Sequence, residues 1–254
     1  MLRLSPFSIS IYQQCPRRYK YHYVDGLAQL YKKPWPWLTM GSNVHSTLAE
    51  FLGVIPETQR TIETIENLLR RKWRVSREGF VDREEERKWG ERALAQLRWF
   101  VNTQRIDVRP FMVEKFHEAS ITPDLTLNGK IDRIDQMDDG SLHVIDYKTG
   151  RMPEKVDGFQ LLLYSLILSK TLSYPIPEAS YLYLADGVWH TLSIAEDDVQ
   201  DAQSKALEIA REIELERDYP EVAGSLCRFC DFLEICGAGR EFQPTTTDIE
   251  PVDL

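Results

Sequence analysis

The run Val144-Ile145-Asp146-Tyr147-Lys148 ends with an acid and a lysine separated by a single residue. Side chains alternate faces in an extended chain, so Asp146 and Lys148 point one way and Tyr147 the other. A second acid, Asp132, stands in GKIDRID, on the preceding run of alternating residues. Between the two runs lies Asp138-Asp139-Gly140. A two-residue loop would put Asp132 and Asp146 on opposite faces. A three-residue loop, with Gly140 in the left-handed position of a type I turn plus bulge, pairs them directly. Opposed residues have Cβ atoms about 5 Å apart, and carboxylates that close repel unless a cation sits between them. The three-residue register is expected because it gives Asp132, Asp146 and Gly140 one purpose. Mg²⁺ or Mn²⁺ takes oxygen ligands and keeps waters that substrate phosphate can replace. Such an ion lowers the pKa of a bound water and polarises a phosphoryl oxygen. Lys148 would then hold the attacking water or balance charge on phosphorus. Without a metal, the same pair reads as an ordinary ion pair at a strand end.

Four cysteines form the second chemical pattern: Cys15, then Cys227, Cys230 and Cys236 in CRFCDFLEIC. A cytosolic chain would not keep these as disulfides. Four thiolates complement either a zinc ion or a [4Fe-4S] cluster, and residue chemistry leaves both open. Either group would join residue 15 to residue 227, and closing so long a loop restricts the unfolded chain by about 5 kcal/mol.

These residues need elements to position them. At 254 residues and 43% hydrophobic, the chain can bury a full core. No leader segment or membrane-length apolar run is evident, so a cytoplasmic location without membrane attachment is expected. The net charge of −9 is unevenly spread. Residues 1–40 carry six Lys/Arg against one acid, and residues 211–254 carry four Arg against eleven acids. In the basic segment Arg17, Arg18 and Lys20 interleave with Tyr19 and other aromatics, a composition suited to a polyanion whose bases stack. A packed terminus with solvated charges has the same composition.

Ser5 or Ser8 caps an expected short first helix with Pro6 in its first turn. Ser42 is expected to cap a helix running to about Leu52, with a stripe of His45, Leu48, Ala49 and Leu52. Two charged amphipathic helices follow at about 60–77 and 82–104. Period-two patterns then predict strands in FMVEKFHEASI, LNGKIDRIDQM and SLHVIDYKTG. VDGFQLLLYSLILSK is apolar nearly all round and reads as a buried helix, ASYLYLAD and GVWHTLSI as a strand pair, and 196–217 as a polar helix. Helices around a mixed sheet make the fold class α/β (α+β). One domain over 1–241 is expected, with a helical insertion at about 56–106 and a disordered tail over 242–254.

GKIDRID followed by IDYKTG resembles the PD-(D/E)XK nuclease superfamily, particularly its RecB-like exonuclease branch. Three further segments are similar to that branch: Gly41-Ser-Asn-Val-His45 to its G-x-x-x-H helix, Gln160 and Tyr164 to its Q-x-x-x-Y helix, and CPRRYKYHYV to its N-terminal cysteine segment. The first motif has Ile131 where the superfamily name has proline. The resemblance implies a restriction-endonuclease-like core. It assigns His45, Asp132 and Asp146 to the metal, with the Tyr147 carbonyl as a further ligand. Lys148 becomes the catalytic lysine, and Gln160 and Tyr164 orient the site or the strand; apart from the resemblance, Glu114 on the preceding strand is expected behind the ligands. One cysteine before the core and C-x2-C-x5-C after it resemble the iron–sulfur members of the branch, in the manner of AddB-type and CRISPR-adaptation nucleases, and favour [4Fe-4S] over zinc. Implied is an exonuclease that hydrolyses single-stranded DNA in repair or recombination. The alternative is a non-catalytic DNA-binding module of a repair or CRISPR-adaptation complex. No G-x-x-x-x-G-K-[ST] motif occurs, so unwinding would fall to a helicase or repair partner. His22, His117, His143 and His190 lack comparable context and read as structural.

Overall fold

Local capping rules account for the first elements. After β1 (Leu2–Leu4), Ser5 caps α1 (Pro6–Gln14). The Ser5 hydroxyl accepts from the Ser8 N–H at 3.1 Å and the Ser8 hydroxyl from the Ser5 N–H at 2.8 Å, a reciprocal capping box. Short helices α2 (Pro16–Tyr19) and α3 (Ala28–Tyr31) flank a π-helical turn at Lys20–Val24. The helix bearing His45, α4 (Pro36–Gly53), begins six residues before the expected Ser42 cap. Pro36 occupies its first position with φ preset for a helix, and Trp35 before it is extended, as a residue preceding proline must be. Ser42 is therefore an interior residue.

The remaining elements follow the sequence periodicities: α5 (Ile62–Val75), α6 (Arg83–Thr103), β2 (Met112–Thr122), β3 (Leu125–Gln136), β4 (Leu142–Lys148), α7 (Phe159–Thr171), β5 (Glu178–Tyr183), β6 (Val188–Ser193), α8 (Glu196–Leu215) and α9 (Gly237–Glu241). The computed structural model describes residues 1–241, and the tail expected over 242–254 lies outside them.

The chain divides into two compact units. Among the described residues one comprises 1–33, 120–128 and 203–241; the other holds 34–119 and 129–202. In the first, β1 runs parallel to the start of β3, with Leu2 opposite Leu125 and Leu4 opposite Leu127. Its interior includes Ile9, Ile11, Tyr12, Tyr19, Ile209, Ile213 and Phe232, all buried.

The second unit is built on a mixed sheet flanked by helices. Strand β4 is antiparallel to β3 and parallel to β5, and β5 is antiparallel to β6. The parallel β4–β5 pair is joined through α7, as a parallel connection requires. Alternation along the strands divides the core. Ile145, Tyr147, Leu182 and Leu184 pack against α4, α5 and α6. Leu142, Val144, Ala179, Tyr181 and Tyr183 pack against α7. Leu161, Leu163, Leu166, Ile167 and Leu168 of α7 are all essentially inaccessible, and each such side chain contributes about 1.5–3 kcal/mol. Buried Arg60 joins the two ends of the helical insertion. Its guanidinium donates to the carbonyls of Leu52, Ile55, Ile106 and Val108.

Candidate metal centre

The turn after β3 decides the site. Met137 N–H donates to the Ser141 carbonyl at 2.8 Å, Gly140 N–H to the Met137 carbonyl at 2.9 Å, and Gly140 has φ +86°. This is the three-residue loop with a left-handed glycine. The ladder pairs Arg133 with Ile145, Ile134 with Val144, Asp135 with His143 and Gln136 with Leu142. The ladder ends at Arg133 and Ile145, and Asp132 and Asp146 are the next residues of the two strands.

Each group around this pair has a defined support. Asp132 Oδ2 accepts from the Tyr147 N–H at 2.8 Å, and Oδ1 lies 3.0 Å from His45 Nδ1. The Tyr147 ring is buried edge-on to His45 and Phe100, and its hydroxyl accepts from Arg133 at 3.4 Å. Glu114 of β2 approaches as well. Ligand atoms of His45, Glu114 and Asp132 all lie within 4.8 Å of one another. Glu114, expected behind the ligands, therefore stands among them, ion-paired to Lys130. Its φ of +50° is left-handed for a non-glycine residue, local strain of the kind that collects at functional sites. No sequence pattern marks it, because its position depends on that kink.

A directional chain continues from β4 into α7. Lys148 Nζ donates to Gln160 Oε1 at 2.9 Å. The Gln160 amide nitrogen donates to Asp146 Oδ1 at 3.1 Å and to the Tyr164 hydroxyl at 2.9 Å. Tyr164 passes its own proton to the Lys130 carbonyl at 3.1 Å. Gln160 and Tyr164 are one helical turn apart, so they stack on one face. Gln160 Oε1 faces an ammonium and its nitrogen faces acceptors, which settles the amide orientation.

The electrostatics suit a cation. For Asp146 burial dominates and, with Asp132 beside it, pushes the carboxyl up to about 6 against the pull of Lys148 and His45. Burial also works against ionised Asp132, but the His45 cation, its hydrogen bond and the Tyr147 N–H outweigh it and hold the carboxyl below its ordinary range. Burial opposes the His45 cation too, yet Asp132, Asp146 and Glu114 raise it to about 9. Asp146 Oδ2 is buried 3.1 Å from Lys148 Nζ but receives no aligned hydrogen bond. An imidazole nitrogen, several carboxylate oxygens and an under-satisfied buried oxygen fit a small divalent ion.

His143 lies between Glu178, at 3.4 Å, and Ser180, at 2.7 Å. That sequence of groups resembles a hydrolytic triad, but Ser180 is completely buried and bonds onward to Thr191. It is a sheet-internal hydrogen-bond chain.

The four cysteines lie in the other unit. All line one cavity of about 230 Å³, together with Arg17 and Arg18. Amide N–H groups point at three of the sulfurs: Gly224 at Cys227, Phe232 at Cys230 and Gly239 at Cys236. Burial pushes the Cys230 and Cys236 thiols up, and Cys15 and Cys227 add to the rise. The His45 group is the only set of three ligand atoms within 4.8 Å among the described residues, so no three sulfurs are that close. A tetrahedral zinc site holds its sulfurs about 3.8 Å apart.

The basic segment is arranged differently from expectation. Tyr19 is buried between Tyr12 and Tyr23 and offers no face to a base, because the aromatic rings pack on one another. Lys20 pairs with Asp25 at 2.6 Å. Arg17 donates to the Asp218 carbonyl at 3.2 Å, and Arg18 to Gln14 at 3.3 Å.

Among the described residues no helix is long and apolar enough to cross a membrane. A family model described as the PD-(D/E)XK nuclease superfamily matches residues 3–237. Two solved structures are similar. A protein from Eubacterium rectale described as a "putative exonuclease" has TM-score 0.50 and 11% identity, over 98% of this chain and 97% of that one. The structure described as SSO0001 has TM-score 0.46 and 15% identity, over 93% and 86%. No curated protein matches the chain.

Proposed function

The chain belongs to the PD-(D/E)XK nuclease superfamily, and from that premise we propose a metal-dependent exonuclease that hydrolyses single-stranded DNA during repair or recombination. The observation that carries the reading is the convergence of His45 and Glu114 on Asp132, with Asp146 held beside Lys148 on the neighbouring strand. His45, Glu114, Asp132 and Asp146 would hold Mg²⁺ or Mn²⁺, with the Tyr147 carbonyl as a further donor. Such an ion supplies water activation and phosphoryl polarisation.

The chain's own residues do the rest. Gln160 holds Lys148 and Asp146 in fixed relation, and Tyr164 anchors Gln160 to the backbone. Lys148 Nζ, 3.1 Å from Asp146 Oδ2, is the group placed to position water or to offset negative charge on the phosphodiester. We further propose that Cys15, Cys227, Cys230 and Cys236 hold a [4Fe-4S] cluster. The amide N–H groups directed at three of the four sulfurs support it. Arg17, Arg18 and Lys20 remain as cations for DNA; the basic composition of their segment supports this, with Tyr19 omitted.

End-labelled single and double strands incubated with Mg²⁺, Mn²⁺ or EDTA test the proposal. Stepwise loss of nucleotides from single strands is expected with either ion and none with EDTA. Cleavage that persists in EDTA, or products only from internal cuts, would overturn it. Iron and sulfide analysis after anaerobic purification tests the cluster, with about one zinc and no iron as the contrary result.

A further inference from the structure

The densest basic stretch of the chain lies in the helical insertion, away from the basic N-terminal segment. Residues 70–77 read RRKWRVSR, with five cations and no acid. The helices fold this stretch into a groove of about 690 Å³ between α5 and α6. Arg70, Arg74 and Arg77 follow one stripe of α5 and its end, and Arg83 with Arg87 follow one stripe of α6, each at helical spacing. Only Glu86 and Glu91 line the groove against them. In a chain of net charge −9 this groove carries three positive charges in excess.

Nearby carboxylates lower the excess without removing it: Arg87 of the groove takes both Glu84 and Glu91. Glu50 serves both Arg71 and Lys72, and Glu66 serves both Arg70 and Arg98, one acid to two cations each time. Arg77 takes Glu86. Among the described residues Arg74 and Arg83 make no ion pair. Arg83 is moreover the first residue of α6, where the positive end of the helix disfavours a cation. Leu69, Trp73, Gly90 and Leu94 complete the lining. The insertion is tied to the metal centre's strand, since Gln96 of α6 donates at 2.8 Å to the carbonyl of Thr149, the residue after Lys148.

We propose that this groove binds the sugar–phosphate backbone of the nucleic-acid strand at a distance from the scissile bond, as an anchor independent of sequence. The proposal rests on the nuclease reading above. Guanidinium forks recognise phosphate oxygens in pairs, which suits a repeating polyanion. A protein of negative net charge must confine such contact to a local field of this kind.

The test uses the full chain and the double variant Arg74→Gln/Arg83→Gln, which breaks no ion pair and relieves the start of α6. A labelled single strand is titrated in EDTA over a range of NaCl, so that binding is read without cleavage. Hydrolysis of the p-nitrophenyl ester of thymidine 5′-phosphate with Mn²⁺ reads the metal centre alone. The variant should bind the strand about tenfold more weakly, with a salt slope smaller by about 1.4, or about 0.7 per lost phosphate contact. Ester hydrolysis should stay unchanged. Equal strand affinity and slope in variant and parent, or no binding by the parent, would overturn the anchor. If poly-glutamate of equal length binds the parent as tightly and the variant loses it equally, the groove serves an acidic protein and the proposal fails. A parent that hydrolyses neither strand nor ester sinks the nuclease reading itself, whatever the groove binds.

Discussion

The two ligand clusters are built on opposite plans. Around Asp132 and Asp146 the donors sit on strands and long helices, and each is already held by neighbours: Asp132 by His45 and the Tyr147 N–H, Asp146 by Gln160. The four cysteines sit at helix caps and in short turns: Cys15 ends α1, Cys230 ends a 3-10 turn, and Cys236 precedes α9. They surround a cavity, with burial favouring the neutral thiols of Cys230 and Cys236. The first cluster is preorganised and stands without its ion. The second surrounds a space that the proposed cluster would fill and brace, assisted by Phe232 packing against Tyr21, His22 and Tyr31. Removing the bound group should therefore cost chemistry in one place and stability in the other.

The largest expected effect is on the cysteine side. Cys230→Ala should abolish iron and sulfide content and lower unfolding free energy by up to about 5 kcal/mol, while Mn²⁺-dependent ester hydrolysis persists below the new melting temperature. An unchanged melt would show that the cavity holds nothing structural. Next in size, Lys148→Ala should slow strand cleavage by about 10²–10³-fold with the melting temperature preserved. Asp146→Asn should be inactive yet no less stable than the parent, because it removes a carboxyl whose ionisation burial already opposes. If either variant melts far below the parent, the preorganised half of the comparison is wrong.

A smaller effect tests whether the cysteine-bearing unit has a core of its own. Burial, then the neighbouring tyrosines, push Tyr19 from 10.0 up to about 12. Below pH 10 both folded and unfolded chains keep the proton. As pH rises from 10 to 12 only the unfolded chain loses it, so stability falls by about 2–3 kcal/mol. Tyr19→Phe should lack that loss, seen as a gap between the two melting curves that opens only in alkali. The smallest effect belongs to the hairpin. A Cβ on Gly140 would meet nothing within 4 Å, so Gly140→Ala costs only its left-handed φ, about 1–2 kcal/mol. Cleavage should survive if the register is also fixed by Ile134 and Val144, both buried in the α7-side core. Loss of activity would instead assign the register to the turn alone.

Much of the fold was legible because period-two and period-3.6 patterns report burial directly. The strands around GKIDRID and VIDYKTG and the all-apolar α7 lie where their patterns place them. The start of α4 was misread because serine is a common cap, whereas Pro36 exerts the stronger constraint here. The stacking role expected of Tyr19 was lost to packing, which composition does not reveal.

By itself the sequence offered a three-residue Asp-Asp-Gly loop with a left-handed glycine, and favoured it only because that register gathers Asp132 and Asp146. It also determined that Asp146 and Lys148 share a face. Only the tertiary structure decided that Glu114 joins His45 and Asp132, since that depends on one strained residue and on a helix arriving from elsewhere in the chain. It alone decided that the arginines of α5 and α6 face a common groove, because a charge's partners across helices are set by packing and not by spacing along the chain.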